Sequence, residues 1–265
     1  MLSSTIDKDA LRGRYQSARP FPSICIDDLL DREFIQEVAH SYPRYEEALA
    51  MGKSFDAVNE KLKVQVTDFS QFPDPVKRLS QILTGSPFLE TLEYITGIRN
   101  LVIDPSYIGG GMHITAGTGR LDVHVDFNRV NNLYRRLNLL LYLNEEWKEN
   151  WGGKIELWNQ DVSHCEQSYI PLLGRCVLFT TSELSYHGVT PVHCPPGITR
   201  KSFALYYYTL EAPENIAKEH STIFKARPNE PMRRYVLMPA ERLKRQLHVG
   251  LRRTKQFAKK ALGRL

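Results

Sequence analysis

Two imidazoles and one carboxylate stand at His124-Val125-Asp126 and, far downstream, His187. That donor set suits a non-haem Fe(II) and leaves coordination positions open for substrate and oxygen. Arg200-Lys201-Ser202 follows the second histidine. A guanidinium offers planar paired donors to a carboxylate, and a serine hydroxyl adds one more hydrogen bond. The chemistry such a set would do is an oxidation at iron driven by a carboxylic co-substrate such as 2-oxoglutarate.

These residues need strands to bring them together. Side chains i and i+2 of a strand share a face. His124 and Asp126 can therefore enter one cavity while Leu121, Val123 and Val125 serve packing. By the same period Arg200 and Ser202 share a face, and Lys201, Phe203, Leu205 and Tyr207 take the other. In the run Leu137–Asn144, Tyr142 lies on the face of Asn138 and Leu140. Its hydroxyl is within the compass of the same carboxylate, and Leu140 would wall the carbon chain of the acid. An HxD pair alone is weak, and zinc or manganese in a cupin-like site would use the same ligands.

Short β-branched and aromatic runs predict strands at 110–115, 121–127, 137–144, 153–158, 168–173, 175–180, 187–192 and 200–209. Before them, Pro20 to Ile26 reads as a strand, and Asp31 to His40, Asp74 to Leu83 and Pro87 to Ile95 read as helices, the last closing at Gly97. Residues 1–19 read as polar and mobile, 45–70 give no clear pattern, and 211–240 read as an extended connector. The fold class expected is α+β, mainly β: a jelly roll with supporting N-terminal helices. The division is 1–100 for the helical support, 101–212 for the catalytic core and 213–265 for connector and tail.

The stretch from about Tyr107 to Thr209 carries HVDFN at 124–128, LNLLLYLNEEW at 137–147, GGKIELW at 152–158, SYHGVTPV at 185–192 and TRKSFALYYYT at 199–209. In order and spacing these resemble the 2-oxoglutarate/Fe(II)-dependent dioxygenase superfamily, in its prolyl-hydroxylase-like branch. The resemblance implies a double-stranded β-helix, with Fe(II), 2-oxoglutarate and O2 as cofactors and ascorbate as an optional extra. His124, Asp126 and His187 would then be the iron ligands. Arg200 would bind the distal carboxylate, with Ser202, Tyr142, Leu140 and Asn138 around it. Some relatives use Lys where Arg200 stands, which makes Lys201 a competitor. Halogenating relatives lack the carboxylate of Asp126, so its presence implies hydroxylation, with release of succinate and CO2. The branch suggests a prolyl residue as substrate, and a metabolite or a glycan fits the chemistry as well.

Substrate contacts are expected from residues flanking the triad: His113 after the Gly109–Gly111 run, Arg120 in the glycine-containing stretch 115–120, and Asn128 and Arg129 beyond it. Of the 265 residues 42% are hydrophobic and 25% charged, enough for one large core. The four cysteines have no CxxC spacing, and no secretory signal or membrane-spanning run is apparent, so a reduced, cytoplasmic protein is expected. The net charge of +5 is unevenly placed. Residues 241–265 hold nine Lys/Arg and one acid, a local +8 that leaves −3 for the rest. Leu243, Leu247, Leu251, Thr254, Ala258, Leu262 and Leu265 recur at helical spacing among these cations. A basic amphipathic helix is the expectation, one suited to lie on an anionic membrane surface or to grip an acidic partner; the first would make the cytoplasmic protein membrane-peripheral. Nucleic acid is not expected. Two other classes compete with an enzyme: a non-catalytic, cupin-like metal-binding β-sandwich, and a membrane-peripheral interaction protein whose tail is its function.

Overall fold

The computed structural model describes residues 7–214 and 218–240. The expected basic helix in 241–265 lies outside them. Five helices run in chain order: α1 (Lys8–Ser17), α2 (Arg32–Ser41), α3 (Tyr45–Met51), α4 (Asp74–Thr84) and α5 (Ser86–Thr96). The strands are β1 (Ser23–Ile26), β2 (Lys53–Phe55), β3 (Glu60–Val66), β4 (Val102–Ile103), β5 (Gly111–Val125), β6 (Arg129–Val130), β7 (Leu133–Tyr142), β8 (Ile155–Trp158), β9 (Cys165–Tyr169), β10 (Cys176–Thr180), β11 (His187–Val189), β12 (Arg200–Thr209) and β13 (Ile223–Lys225). All pairings are antiparallel, and the main path runs β1-β10-β7-β12-β5-β11-β8-β9. The sheet is mainly β, nearly closed and jelly-roll-like, with helices on one face.

Period-two alternation in β5, β7 and β12 divides the molecule. Met112 and Ile114, Leu137, Leu139 and Leu141, and Phe203, Leu205 and Tyr207 face outward into one core. Helices α4 and α5 press Val76, Leu79, Leu83, Phe88, Leu92 and Ile95 onto that face. These residues recur every three or four positions, the stripe a helix must bury. The opposite face points into the barrel, where Leu140, Tyr142 and Ala204 pack with Phe21, Ile155, Val177 and Phe179. Hydrophobic burial at about 25 cal/mol per Å² holds the two layers together. The inner face is left to polar side chains at one end.

Local signals explain the helix ends. The Asp31 carboxylate accepts from Phe34 N–H and caps α2. Gly97, at φ +75°, closes α5 in the left-handed conformation. The sequence pattern differs from the structure at several places. Residues 115–120 do not separate two strands: β5 runs unbroken from Gly111 to Val125. Strand β7 starts at Leu133 and β9 at Cys165, both earlier than the hydrophobic runs suggest. The N-terminal polar stretch contains α1, capped by Asp7, and 45–70 contains α3 and the β2–β3 hairpin. The segment 211–240 is no simple connector. Its β13 pairs with β5, and Met232–Met238 are helical.

Candidate metal centre and co-substrate cavity

His124 and His187 face each other directly across the β5–β11 pairing. Their ring centroids are 4.2 Å apart. Asp126 follows immediately after β5, two residues beyond His124, with Oδ1 3.5 Å from His124 Nε2 and Oδ2 3.6 Å from His187 Nε2. One ligand atom from each of the three lies within 4.8 Å of the others, and all three residues are buried. The remaining nitrogens are committed: His124 Nδ1 bonds Asp122 O and His187 Nδ1 bonds Ser185 O, each at 2.9 Å. A backbone carbonyl can only accept, so Nδ1 carries the proton and Nε2 presents a lone pair to the centre.

The electrostatics suit a dication. Burial, then the neighbouring His124, push the His187 imidazole down to about 4, so it is neutral near pH 7. Burial opposes ionisation of Asp126, but the Arg135 cation and the two imidazoles outweigh it and hold the carboxyl far below its usual range. Two imidazoles with Nε2 turned inward and an ionised carboxylate are a fitting donor set for Fe(II), on residues that leave one side open.

The strand register builds the second cavity. Ser202 of β12 pairs with Tyr142 of β7 on one side and His113 of β5 on the other. Ala204 pairs with Leu140, and Tyr206 with Asn138. Arg200 enters from the strand start, its Nε donating to Gly153 O at 2.7 Å. Gly153, at φ +66°, is required there: a Cβ would stand 3.0 Å from Arg200 Cδ. The Arg200 guanidinium lies 4.9 Å from the Tyr142 ring centroid. Burial pushes the Tyr142 phenol up to about 12, so it is a donor at neutral pH.

Arg200 Nη2, Ser202 Oγ, Tyr142 Oη and His113 Nε2 are all buried without a hydrogen-bond partner among the described residues. Buried polar groups are normally paired. Arg200 and Ser202 line a small cavity, with Tyr142 against the Arg200 guanidinium, and these unpaired donors fit an absent carboxylate. Asn138 and Leu140 line the same cavity, as do His124 and His187 at its other end. Lys201 is not part of it: it turns to the opposite face, toward Ala39 O at 3.5 Å.

The centre opens on its other side into a cleft of about 650 Å³. Phe55, Lys63 and Gln65 of the β2–β3 hairpin, with Phe127, Tyr206 and Phe224, form much of its wall. Phe224 of β13 packs on His124, centroids 5.3 Å apart. None of the hairpin or β13 residues stands out in the sequence. The hairpin has mixed charge without a clean alternation, and β13 is three residues long. Of the expected substrate contacts, His113 and Arg120 line the co-substrate cavity rather than this cleft. Asn128 donates to Glu183 and Lys218 O outside the cleft. Arg129 stacks over Tyr134, 5.2 Å from its centroid.

Residues 110–208 match the family model of the 2OG-Fe(II) oxygenase superfamily. The fold agrees. A Pseudomonas putida prolyl-4-hydroxylase aligns with TM-score 0.55 at 14% identity, over 77% of this chain and 99% of that one. A Trichoplax adhaerens prolyl hydroxylase, solved with a hypoxia inducible factor oxygen degradation domain peptide, aligns with TM-score 0.53 at 16% identity, over 76% and 88%. Prolyl 4-hydroxylase from Phytophthora capsici aligns with TM-score 0.50 at 19% identity, over 78% and 67%. Comparison with curated proteins finds no match. Residues 110–208 thus carry a 2OG-Fe(II) oxygenase domain by the family model, and the fold around it is similar to that of prolyl-4-hydroxylases. The domain marks a 2-oxoglutarate-dependent non-haem iron dioxygenase, of a family that uses Fe(II), 2-oxoglutarate and O2.

Proposed function

We propose that His124, Asp126 and His187 hold the iron, that Arg200, Ser202 and Tyr142 hold the distal carboxylate of 2-oxoglutarate, and that the enzyme hydroxylates a prolyl residue of a peptide in the adjoining cleft. The observation that carries this reading is the junction of three parts. A His-Asp-His cluster stands between a blind cavity with unpaired donors and an open cleft.

When bound, iron and 2-oxoglutarate supply the oxidation of an unactivated C–H by O2, with succinate and CO2 released. The chain's own residues bind and orient. The lone pairs of His124 and His187 and the Asp126 carboxylate fix the metal. Arg200 neutralises the buried carboxylate, while Ser202 and Tyr142 donate to it. Leu140, Ile155 and Val189 exclude water from the cavity wall. Phe55, Phe127, Tyr206 and Phe224 offer aromatic faces against which a pyrrolidine ring packs.

A peptide is favoured because the cleft is open and within the size range of organic ligand sites. The relatives of like fold are named prolyl hydroxylases, one of them with a peptide bound. The test is to incubate the iron-loaded enzyme and 2-oxoglutarate with proline-containing peptides, following succinate and peptide mass together. Succinate in step with gain of one oxygen on proline is expected. Turnover coupled to a metabolite or glycan and to no peptide would move the substrate to that class.

The basic segment 241–265 is proposed to contact an anionic bilayer. Met232, Tyr235, Val236 and Leu237, just before it, are exposed at 65%, 71%, 53% and 39%. Each Lys or Arg near such a surface contributes about 1 kcal/mol, lost with salt. Sedimentation with phosphatidylserine vesicles should carry the protein down at low salt and release it at high salt. Equal recovery with neutral vesicles, or none with either, would defeat this reading. Among the described residues no helix is long and apolar enough to cross a membrane.

A further inference from the structure

Arg135 is a buried cation that borders a separate cavity with Tyr134, Arg136 and Glu183. It is 3% exposed and does not line the cleft. Its guanidinium carbon lies 3.6 Å from the ring centroids of both Phe127 and Tyr206. Nη2 donates to Tyr208 Oη at 3.4 Å, and Nη1 is 3.3 Å from Asp126 Oδ2. Asn138 Nδ2 donates to that same oxygen at 3.2 Å. Oδ2 is thus held by Arg135 and Asn138 and also lies 3.6 Å from His187 Nε2, while Oδ1 lies 3.5 Å from His124 Nε2.

The strand alternation does not place Arg135 here. Leu137, Leu139 and Leu141 face the helices, so an unbroken strand would send Arg135 the same way. The β7–β12 register breaks instead: Tyr207 pairs with Leu137 but Tyr208 with Arg135, leaving Arg136 as an extra residue. Such a bulge re-aims a side chain. This one turns a guanidinium toward the metal centre and sends Arg136 to Thr209 Oγ1 at 3.2 Å.

The geometry points to Arg135 as the positioning residue of the metal site: it fixes the rotation of the Asp126 carboxylate and sets the electron density that carboxylate gives to the metal. The inference rests on the reading of Asp126 as a ligand. A cation against Oδ2 withdraws density from the whole carboxylate, and partners of a ligand tune the metal in this way. An electron-poorer Fe(II) gives up charge to 2-oxoglutarate less readily, so its charge-transfer band lies at higher energy. Two rings on either side of the guanidinium keep water from screening it.

The experiment is anaerobic absorption of full-length protein with Fe(II) and 2-oxoglutarate. Wild type is compared with Arg135→Lys, which keeps the charge, and with Arg135→Met and Arg135→Gln, which lose it. Methionine keeps the contact between the rings, and glutamine keeps a donor for Asp126, so either one suffices if the other does not fold. Expected is a wild-type band that the Lys variant retains near its position and that moves to longer wavelength in the uncharged variants. A purely structural role would lower melting temperature and leave the band where it is. An unmoved band in a folded Met or Gln variant overturns the inference. A wild-type protein with no band overturns the ligand assignment beneath it, and the two failures are told apart.

Discussion

Asp126→Ala protein is expected to lose tight Fe(II) binding and all metal-dependent conversion of 2-oxoglutarate to succinate, and His187→Ala to do the same. Removing the partner of a metal ligand costs about 10–100-fold in affinity, and removing a ligand itself costs more. The two variants differ in a second property. Among the described residues Asp126 is the only carboxylate within an ion-pair distance of Arg135. Its loss leaves a buried cation unpaired, which is destabilising by about 3–5 kcal/mol. His187 is neutral, so its loss leaves no charge behind and removes chiefly the packing against Phe179, centroids 4.7 Å apart. Asp126→Ala should therefore unfold at clearly lower denaturant than His187→Ala, although both are inactive. Asp126→Asn keeps the shape and isolates the charge. Equilibrium unfolding, Fe(II) titration and succinate assay read the three effects separately. Metal-dependent succinate formation retained in both alanine variants would remove these residues from the centre.

The centre was legible because its order of parts follows strand periodicity. HxD on one strand, a distant histidine, then RxS on another can be placed by counting in twos, and β5 and β12 obey that count. The cross-strand pairing of His124 with His187 was not legible. It depends on β11, three residues long, meeting β5 at one register. Arg135 escaped for a sharper reason: a bulge reverses its face, and a bulge is set by the partner strand rather than by local pattern. The substrate wall escaped because it comes from pieces too short to show a period. The β2–β3 hairpin gains its order by pairing with β5, and β13 by ionic anchoring. Arg227 donates to Glu156 at 2.7 and 2.8 Å, and Arg233 reaches Asp122 and Val58 O. Such long-range pairs hold the segment after β12 across the barrel mouth. Nothing in 211–240 taken by itself, rich in proline and charge, announces them.

Arg200 and Lys201 cannot be ranked by type, since either cation can meet a carboxylate; only the face decides. Arg200→Met should raise the 2-oxoglutarate KM by about 30-fold or more, because truncating a buried, charge-paired donor costs about 2–5 kcal/mol. Lys201→Met should leave that KM unchanged, its side chain lying on the far side of β12. Ser202→Ala and Tyr142→Phe each remove one hydrogen bond, worth about 1.5–3 kcal/mol when the partner is charged, and should fall between the two. The unliganded protein supplies an independent check. In it, Arg200 is a buried cation with no acidic partner among the described residues, and burial holds its pKa down. Replacing it with an apolar chain of similar length removes an uncompensated charge, so Arg200→Met should be no less stable than wild type without ligand. It should then gain much less stability than wild type when 2-oxoglutarate and a redox-inert divalent metal are added, since ligand stabilisation scales with the logarithm of affinity. Thermal melts with and without the pair of ligands measure both quantities. An Arg200→Met protein that gains as much as wild type would place the carboxylate elsewhere, and a large loss in Lys201→Met would move it to the opposite face of the strand.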